Sequence, residues 1–225
     1  MFSAVIFDID GTLVDSNDAH AEAWVRALAE RGSRVEFSRV RPLIGIGSDK
    51  LLPALIGISA DSEEGRALAA RRREILLNDF VPTLRPTRGA RELLEWLHDE
   101  RKTLAVATSA DSEELKALLR VAGATKLIDA ATTSDDVDRS KPDPDIVLAA
   151  VQRTGCSAAD VVMIGDTAYD VQAARRAGVG IIALRCGGWH DAALEGALAI
   201  YDDPGDLLEH YDLSAFKRPL PTPST

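Results

Sequence analysis

The chain has 225 residues, and its 36 acidic and 26 basic side chains give a formal charge of −10 at pH 7. This surplus of negative charge opposes broad binding to nucleic acid or to anionic lipid, so we expect neither as a partner. A hydrophobic fraction of 46% with 28% charged residues excludes disorder as the main state. The length predicts one large domain, or one domain with a smaller lobe.

The apolar segments are too short for a membrane span or an export signal. No apolar run approaches the roughly 18–20 residues that cross a bilayer, and the first one leads directly into Asp8 with no basic segment before it. The two cysteines, Cys156 and Cys186, suit a reducing compartment and lack the spacing of a metal cluster. We therefore expect a cytoplasmic protein without a membrane partner, either as a monomer or as a homodimer.

Short apolar runs alternate with helical patterns along most of the chain. The runs lack polar alternation, as strands buried on both faces of a parallel sheet do. Four runs are clear and two are weaker: 4–7, 103–107, 161–164 and 179–184, then 127–131 and 197–201. Helical patterns lie between them at 87–99, from Asp111 to Gly123, at 145–154 and at 168–177. This alternation predicts an α/β fold with a doubly wound parallel sheet.

A helical segment interrupts the alternation soon after the first strand. Residues 15–85 contain helical patterns at 19–31, 48–56 and 61–80 and no convincing strand. We therefore predict a core domain formed by 1–14 and 86–225, with a helical lobe at 15–85 inserted into it. The proline-rich end, 217–225, is expected to be disordered or extended.

Carboxylates follow two of the predicted strands. Asp8 and Asp10 stand at the end of the first strand, where open α/β sheets place their ligands. Such close like charges repel unless a cation lies between them, which favours a metal site over an Asp-Gly hairpin turn. Asp166 follows the strand at 161–164, and Asp170 lies one helical turn later, although Asp166 could instead cap a helix. A set of oxygen ligands favours Mg²⁺ over zinc or copper.

Two weaker signals lie at other predicted strand ends. Thr108 and Ser109 precede a helix, where hydroxyls and free backbone N–H groups can bind phosphate, although such residues are also common helix caps. Lys141 precedes Pro142 and is therefore held extended, and Pro144 restricts Asp143 in the same way, so the ammonium group is aimed from a rigid loop. A solvated turn is an equally good interpretation of that loop taken alone. Together, the four strand ends would gather acidic, hydroxyl and basic groups at one edge.

In order along the chain, these motifs resemble the four motifs of the haloacid dehalogenase superfamily. They are Asp8-x-Asp10-Gly-Thr, Thr108, Lys141-Pro142 and Gly165-Asp166-x-x-x-Asp170. The resemblance extends to about Tyr211 and implies a Rossmann-like core. The insert at 15–85 resembles the helical C1 cap found in phosphoglycolate phosphatase and β-phosphoglucomutase. The resemblance implies a phosphatase that acts on a small phosphorylated metabolite.

The same resemblance implies a role for each motif residue. Asp8 would attack phosphorus and form an aspartyl-phosphate, Asp10 would act as general acid and then base, and Lys141 would offset developing charge. Thr108, with Ser109 nearby, would hold phosphoryl oxygens. Mg²⁺ would be bound by Asp8, the Asp10 carbonyl and Asp166, with Asp170 supporting the site or binding the metal directly.

A sugar phosphomutase is the alternative that the motifs leave open. The mutases that this chain resembles carry an arginine in a cap loop just after a glycine, and here Ser48 follows Gly47. We therefore favour hydrolysis, with Gly45 and Lys50 as candidate cap residues near the substrate. The four histidines have no ligand spacing, so surface or capping roles are expected for them. Residues 71–73, all arginine, are expected on a solvated face, although one of them, or Arg41, could contact an anionic substrate.

Overall fold

The computed structural model describes residues 2–211. The predicted tail at 217–225 lies outside these residues. A single six-stranded sheet forms the centre, with every neighbouring pair of strands parallel and the strand order β3-β2-β1-β4-β5-β6. The strands are β1 (Ala4–Phe7), β2 (Thr103–Ala107), β3 (Ala130–Thr132), β4 (Val161–Gly165), β5 (Gly180–Leu184) and β6 (Ala199–Tyr201). The structure confirms the predicted parallel α/β sheet.

Helices cover the sheet and form the inserted segment. The first four α-helices lie between β1 and β2: α1 (Asn17–Glu30), α2 (Phe37–Val40), α3 (Ser48–Ile56) and α4 (Glu63–Ile75). The remaining five flank the sheet: α5 (Ala90–Asp99), α6 (Ser112–Val121), α7 (Asp145–Thr154), α8 (Ala168–Arg176) and α9 (Pro204–Glu209). None of the helices within 2–211 is both long enough and apolar enough to span a membrane.

The central strands are apolar because both faces of the sheet are covered. Every residue of β1 is fully buried, with Val5 and Phe7 facing one hydrophobic cluster and Ala4 and Ile6 facing the other. This alternation follows from the two-residue period of a strand. Since the strands are parallel, their carboxyl ends meet at one edge, and the order reverses between β2-β1 and β4-β5. That edge, beside the switch in strand order, is where ligands of such folds bind.

The helices α1 to α4 have a small core of their own. Trp24 and Leu28 of α1 pack with Leu52 of α3 and Leu68 of α4. The segment leaves and re-enters the sheet domain at one place, where Val14 and Pro86 form an antiparallel bridge and Thr87 N–H donates to Leu13 O. These helices are called the helical insert below.

Several element boundaries differ from the sequence expectations. The helix expected at 61–80 ends at Ile75, and a π-helical turn, Leu76–Phe80, follows it. The two weaker strands are three residues each and begin later than expected, at Ala130 and Ala199. A short edge strand has few paired residues, so its apolar pattern does not indicate where the strand begins. The helices α2 and α9 were not predicted, because four and six residues show little periodicity.

Candidate active site

Three buried carboxylates meet at the carboxyl edge of the sheet. Asp8 follows β1, Asp166 follows β4, and Asp170 lies in the first turn of α8. One oxygen from each lies within 4.8 Å of the others. Burial of Asp166 and Asp170 is nearly complete, and Asp8 is 4% exposed. The structure therefore brings three of the four proposed metal-binding residues into one cluster.

Lys141 supplies the positive charge inside this cluster. Its Nζ lies 2.6 Å from Asp8 Oδ1 and 2.7 Å from Asp170 Oδ1, and the residue is 1% exposed. A cis peptide bond joins Lys141 to Pro142. The interpretation of this loop as a solvated turn does not apply to Lys141, because the Lys141 side chain is buried between two carboxylates.

One lysine does not balance three carboxylates in a buried site. Burial raises the pKa of Asp8 to about 7, with Asp170 and Asp10 adding to the rise and Lys141 opposing it. Burial also raises the pKa of Asp166 well above its usual value, again with help from Asp170 and Asp8. Burial alone would lower the pKa of Lys141, but Asp170 and Asp8 raise it above its usual value. The carboxylates therefore favour a further positive charge among them.

The Asp166 carboxylate is held by two side chains from the first motif and the start of α1. Thr12 Oγ1 donates to Asp166 Oδ1 over 2.9 Å, and Asn17 Nδ2 donates to Asp166 Oδ2 over 2.8 Å. Two glycines leave room for it, because a Cβ on either Gly11 or Gly187 would collide with Asp166 Oδ2. The first motif includes Thr12, to which the sequence assigned no role, and Asn17 was not singled out from the sequence.

The two oxygens of Asp170 have different partners. Oδ2 accepts hydrogen bonds from the Thr167 backbone N–H at 3.0 Å and from Thr167 Oγ1 at 2.6 Å. Thr167 Oγ1 also accepts from the Asp170 N–H, which completes a capping box at the start of α8. Oδ1 is left to face Lys141 and the other carboxylates. The Asp170 side chain therefore both caps α8 and belongs to the acidic cluster.

Asp10 is not one of the three clustered carboxylates and has its own partners. Its Oδ1 accepts from Ser16 Oγ at 2.5 Å and lies 2.7 Å from His20 Nε2. Burial would raise the pKa of Asp10, but His20, Ser16 and Arg72 hold it below its usual value. The expected surface or capping role for His20 is wrong, since this residue is 6% exposed and contacts Asp10.

A small cavity of about 30 Å³ opens beside Asp8 and Asp10. Thr108 and Ser109 line it, and Ser109 Oγ donates to the Gly45 carbonyl at 3.0 Å. Gly45 and Ser48 line it from the helical insert. Lys50 lies outside this lining and binds the Lys141 loop instead, through the Ser140 carbonyl and through Asp143 at 2.9 Å.

The helical insert also contributes an arginine that the sequence did not assign to the site. Of the three consecutive arginines expected on a solvated face, Arg72 reaches the cavity, and its side chain is 12% exposed. Its Nη1 lies 3.2 Å from His20 Nδ1 and 2.6 Å from Glu114 Oε1. Glu114, on α6, is fully buried. Three consecutive arginines do not indicate which of their side chains is buried.

Comparison with known proteins identifies the family. Residues 5–184 match the model of the haloacid dehalogenase-like hydrolase family. The chain belongs to this family. A probable phosphatase of Dickeya dadantii is 34% identical over 81% of each chain. The fructose-1-phosphate phosphatase of Escherichia coli is 28% identical over 82% of this chain and 97% of its own.

A solved structure agrees over nearly the whole length. A hydrolase from Pseudomonas syringae is 33% identical and superposes with a TM-score of 0.87, covering 94% of this chain and 98% of that one. This protein is therefore a phosphomonoester hydrolase with the haloacid dehalogenase fold.

Proposed function

We propose that this hydrolase is a Mg²⁺-dependent phosphatase that cleaves a small phosphorylated metabolite through an aspartyl-phosphate on Asp8. The observation that carries the proposal is the position of Asp8, a buried carboxylate at the strand end that borders the cavity and touches Lys141. A cytoplasmic location fits a small soluble substrate and the two free cysteines.

The chemistry needs Asp8 as a carboxylate and Asp10 as a proton donor. In the protein alone burial raises the pKa of Asp8, whereas for Asp10 the effect of burial is outweighed by His20 and Ser16, which lower its pKa. A cation beside Asp8 and a phosphate beside Asp10 would shift the two pKa values in the directions that the chemistry needs.

A carboxylate oxygen of Asp8 forms a bond to phosphorus while the bond from phosphorus to the leaving oxygen breaks. Asp10 gives that oxygen its proton. Water then attacks phosphorus, Asp10 takes a proton from it, and Asp8 departs as a free carboxylate with release of inorganic phosphate.

Asp10 is well held for this exchange of protons. His20 and Ser16 fix its Oδ1, so the other oxygen is free to face the leaving group. The incoming phosphate places negative charge beside Asp10 and thereby raises its pKa, which favours the protonated form that the first step uses. Thr108 and Ser109 line the phosphate side of the cavity, and Lys141 offsets negative charge next to Asp8.

The residues present fit a hard divalent cation. Asp8, Asp166 and Asp170 offer oxygen ligands within one cluster, and the single lysine leaves them with excess negative charge. When bound there, Mg²⁺ would reduce the repulsion between the Asp8 carboxylate and the phosphate dianion. The resemblance adds the Asp10 main-chain carbonyl as a ligand. The Asp10 side chain has other partners.

Hydrolysis fits the lining of the cavity better than transfer between sugar hydroxyls. A mutase must bind a second phosphate, for which a free arginine is the most effective partner. Ser48 takes the lining position that follows Gly47, and Lys50 is already bound to Ser140 and Asp143. Arg72 is paired with Glu114. The cavity therefore offers no uncommitted cation among the described residues that line it.

A screen of phosphorylated metabolites with Mg²⁺ tests the proposal. Phosphate release and product identity are followed together, and β-glucose 1-phosphate with a bisphosphate primer is included. We expect free phosphate as the product. Glucose 6-phosphate that forms much faster than phosphate would instead establish the mutase.

A further inference from the structure

The start of α3, in the helical insert, binds all three polar atoms of Ser140 in the sheet domain. The Ser140 backbone N–H donates to Asp49 Oδ2 over 3.2 Å, and the Ser140 hydroxyl oxygen accepts from the Gly47 N–H over 3.0 Å. The Ser140 carbonyl accepts from Lys50 Nζ. Ser140 is buried, so these hydrogen bonds lie in a shielded contact between the insert and the sheet domain.

Lys50 makes a second contact with the loop that contains Ser140. This loop, residues 137–144, leads into α7 and carries Lys141. Lys50 Nζ lies 2.9 Å from Asp143 Oδ2. Lys50 therefore binds the residue before Lys141 and the second residue after it, so one side chain of the insert holds both ends of the segment that carries Lys141.

The sheet domain supports the same segment mainly from solvent-exposed groups. Arg176 Nη1 donates to the Pro142 carbonyl over 2.9 Å and lies 3.6 Å from Asp143 Oδ1. The Arg176 side chain is 51% exposed, whereas that of Lys50 is 27% exposed. Exposed ion pairs contribute little because solvent screens them, so the contacts from the insert are the better shielded of the two sets.

The position of this segment sets the position of the Lys141 ammonium group. Lys141 Nζ lies 2.6 Å from Asp8 Oδ1 and 2.7 Å from Asp170 Oδ1. A cation that offsets charge on a reacting phosphate is effective only when it is held in place beforehand, and a displacement of about 1 Å can cost up to about 100-fold in rate.

We propose that Lys50, together with Asp49 and Gly47, positions Lys141 for phosphoryl transfer by holding Ser140 and the loop around it. Lys50 is then a positioning residue and not a substrate-binding one. This inference rests on the proposed role of Lys141 in the phosphatase. Gly47 permits the close approach, because a Cβ at this position would lie 2.7 Å from the Ser140 Cβ.

Kinetics of Lys50 variants test this role with p-nitrophenyl phosphate and Mg²⁺. Lys50→Met keeps the length of the side chain and removes its charge, so kcat should fall at least about tenfold while KM changes by less than about threefold. Lys50→Arg retains a cation with donors for both acceptors and should recover most of kcat. A rise in KM with kcat unchanged would make Lys50 a substrate-binding residue and overturn the inference.

Arg73→Met is the matched control. It also removes an ion pair between the insert and the sheet domain, in which Arg73 Nη1 lies 2.6 Å from Asp111 Oδ2 at the start of α6. This pair is separate from the Lys141 loop, so kcat should stay within about threefold of the wild-type value. An equal loss of kcat in Arg73→Met and Lys50→Met would attribute the effect to docking of the insert in general and overturn the inference.

Amine acetylation followed by mass spectrometry measures the position of Lys141 without turnover. Because Lys141 is buried, its labelling requires the loop to open. Lys141 should be acetylated about tenfold faster in Lys50→Met than in the wild type or in Arg73→Met. Equal protection in a folded Lys50→Met variant would overturn the inference. A wild-type protein that releases no phosphate would overturn the proposed function, whereas the labelling would still decide whether Lys50 holds Lys141.

Discussion

Thr12 Oγ1 donates a hydrogen bond to Asp166 Oδ1 over 2.9 Å, although 154 residues separate them. Both side chains are fully buried. The bond fixes one carboxylate of the acidic cluster from the turn that also presents Asp8 and Asp10, so the two motifs are oriented by each other. Groups that hold a ligand in this way affect metal binding strongly even though they do not touch the metal.

Replacement of Thr12 by valine should weaken Mg²⁺ binding without abolishing it. Thr12→Val keeps the shape but removes the donor to Asp166, so we expect the Mg²⁺ concentration for half-maximal activity to rise about tenfold. Titration of Mg²⁺ against phosphate release measures the change. Thr83→Val is the control, because Thr83 Oγ1 bonds only the nearby Phe80 carbonyl. An unchanged Mg²⁺ requirement would show that the hydrogen bond does not orient Asp166.

The proposed nucleophile can be removed with almost no change of shape. Asp8→Asn eliminates the attacking charge and one carboxylate of the buried cluster, so phosphate release should be lost while circular dichroism and the melting temperature remain those of a folded protein. Activity within about tenfold of wild type, or about 1.4 kcal/mol of barrier, would contradict the assignment of Asp8. After acid quenching, mass spectrometry should find a phosphoryl adduct on Asp8 of the wild-type protein and no adduct on the Asp8→Asn variant.

The two remaining carboxylates of the cluster should differ in their effect on Mg²⁺ binding. Asp166→Asn is expected to weaken it more than Asp170→Asn, since one Asp170 oxygen is already committed to Thr167. Calorimetric titration of each variant with Mg²⁺ measures the order. Asparagine retains a side-chain oxygen for the cap of α8, so helix stability is comparable between the variants. The reverse order would make Asp170 the principal ligand, and full activity in excess EDTA would exclude a metal.

The contact between Arg73 and Asp111 should make part of the stability depend on pH. Burial would raise the pKa of Asp111, but the Glu114 backbone N–H and Arg73 hold it below its usual value. The stabilisation is therefore present above about pH 4, the ordinary pKa of aspartate, and is lost as pH falls through the lower value of the folded state. Asp111→Asn should cost up to about 1 kcal/mol at pH 7, since the pair is partly exposed.

Urea unfolding of the wild type and Asp111→Asn at pH 7 and pH 3 checks this expectation. The difference in free energy of unfolding should shrink at the lower pH, as the wild-type carboxyl becomes protonated. Asparagine is as good a helix N-cap as aspartate, so the variant isolates the charge. A difference that is independent of pH would indicate that packing, and not the ion pair, is responsible.

The sequence indicated the sheet and its catalytic edge because both depend on local patterns. Buried parallel strands are continuous apolar runs, and the residues that follow parallel strands converge, so the pattern was enough to bring Asp8 and Asp166 together. Lys141 lies nine residues beyond the last residue of β3, so its approach depends on the loop that carries it. The partners that orient them could not be inferred in this way. Contacts such as Asn17 with Asp166, or Arg72 with Glu114, depend on how α1, α4 and α6 pack, and helical periodicity does not specify packing between elements.

The paired entry and exit of the helical insert separate what the sheet does from what the insert does. Since Val14 and Pro86 lie side by side, a short linker could join them, and helices of another length or sequence could be grafted there without shifting the register of β1. The reacting carboxylates and the lysine would stay with the sheet. Arg72, Trp24 and Ser48 would be exchanged.

Such a graft must retain the start of α1, because Ser16 and His20 hold Asp10 and Asn17 holds Asp166. It must also retain the proposed support of the Lys141 loop by the start of α3. Beyond these segments, the insert can be varied separately from the sheet domain.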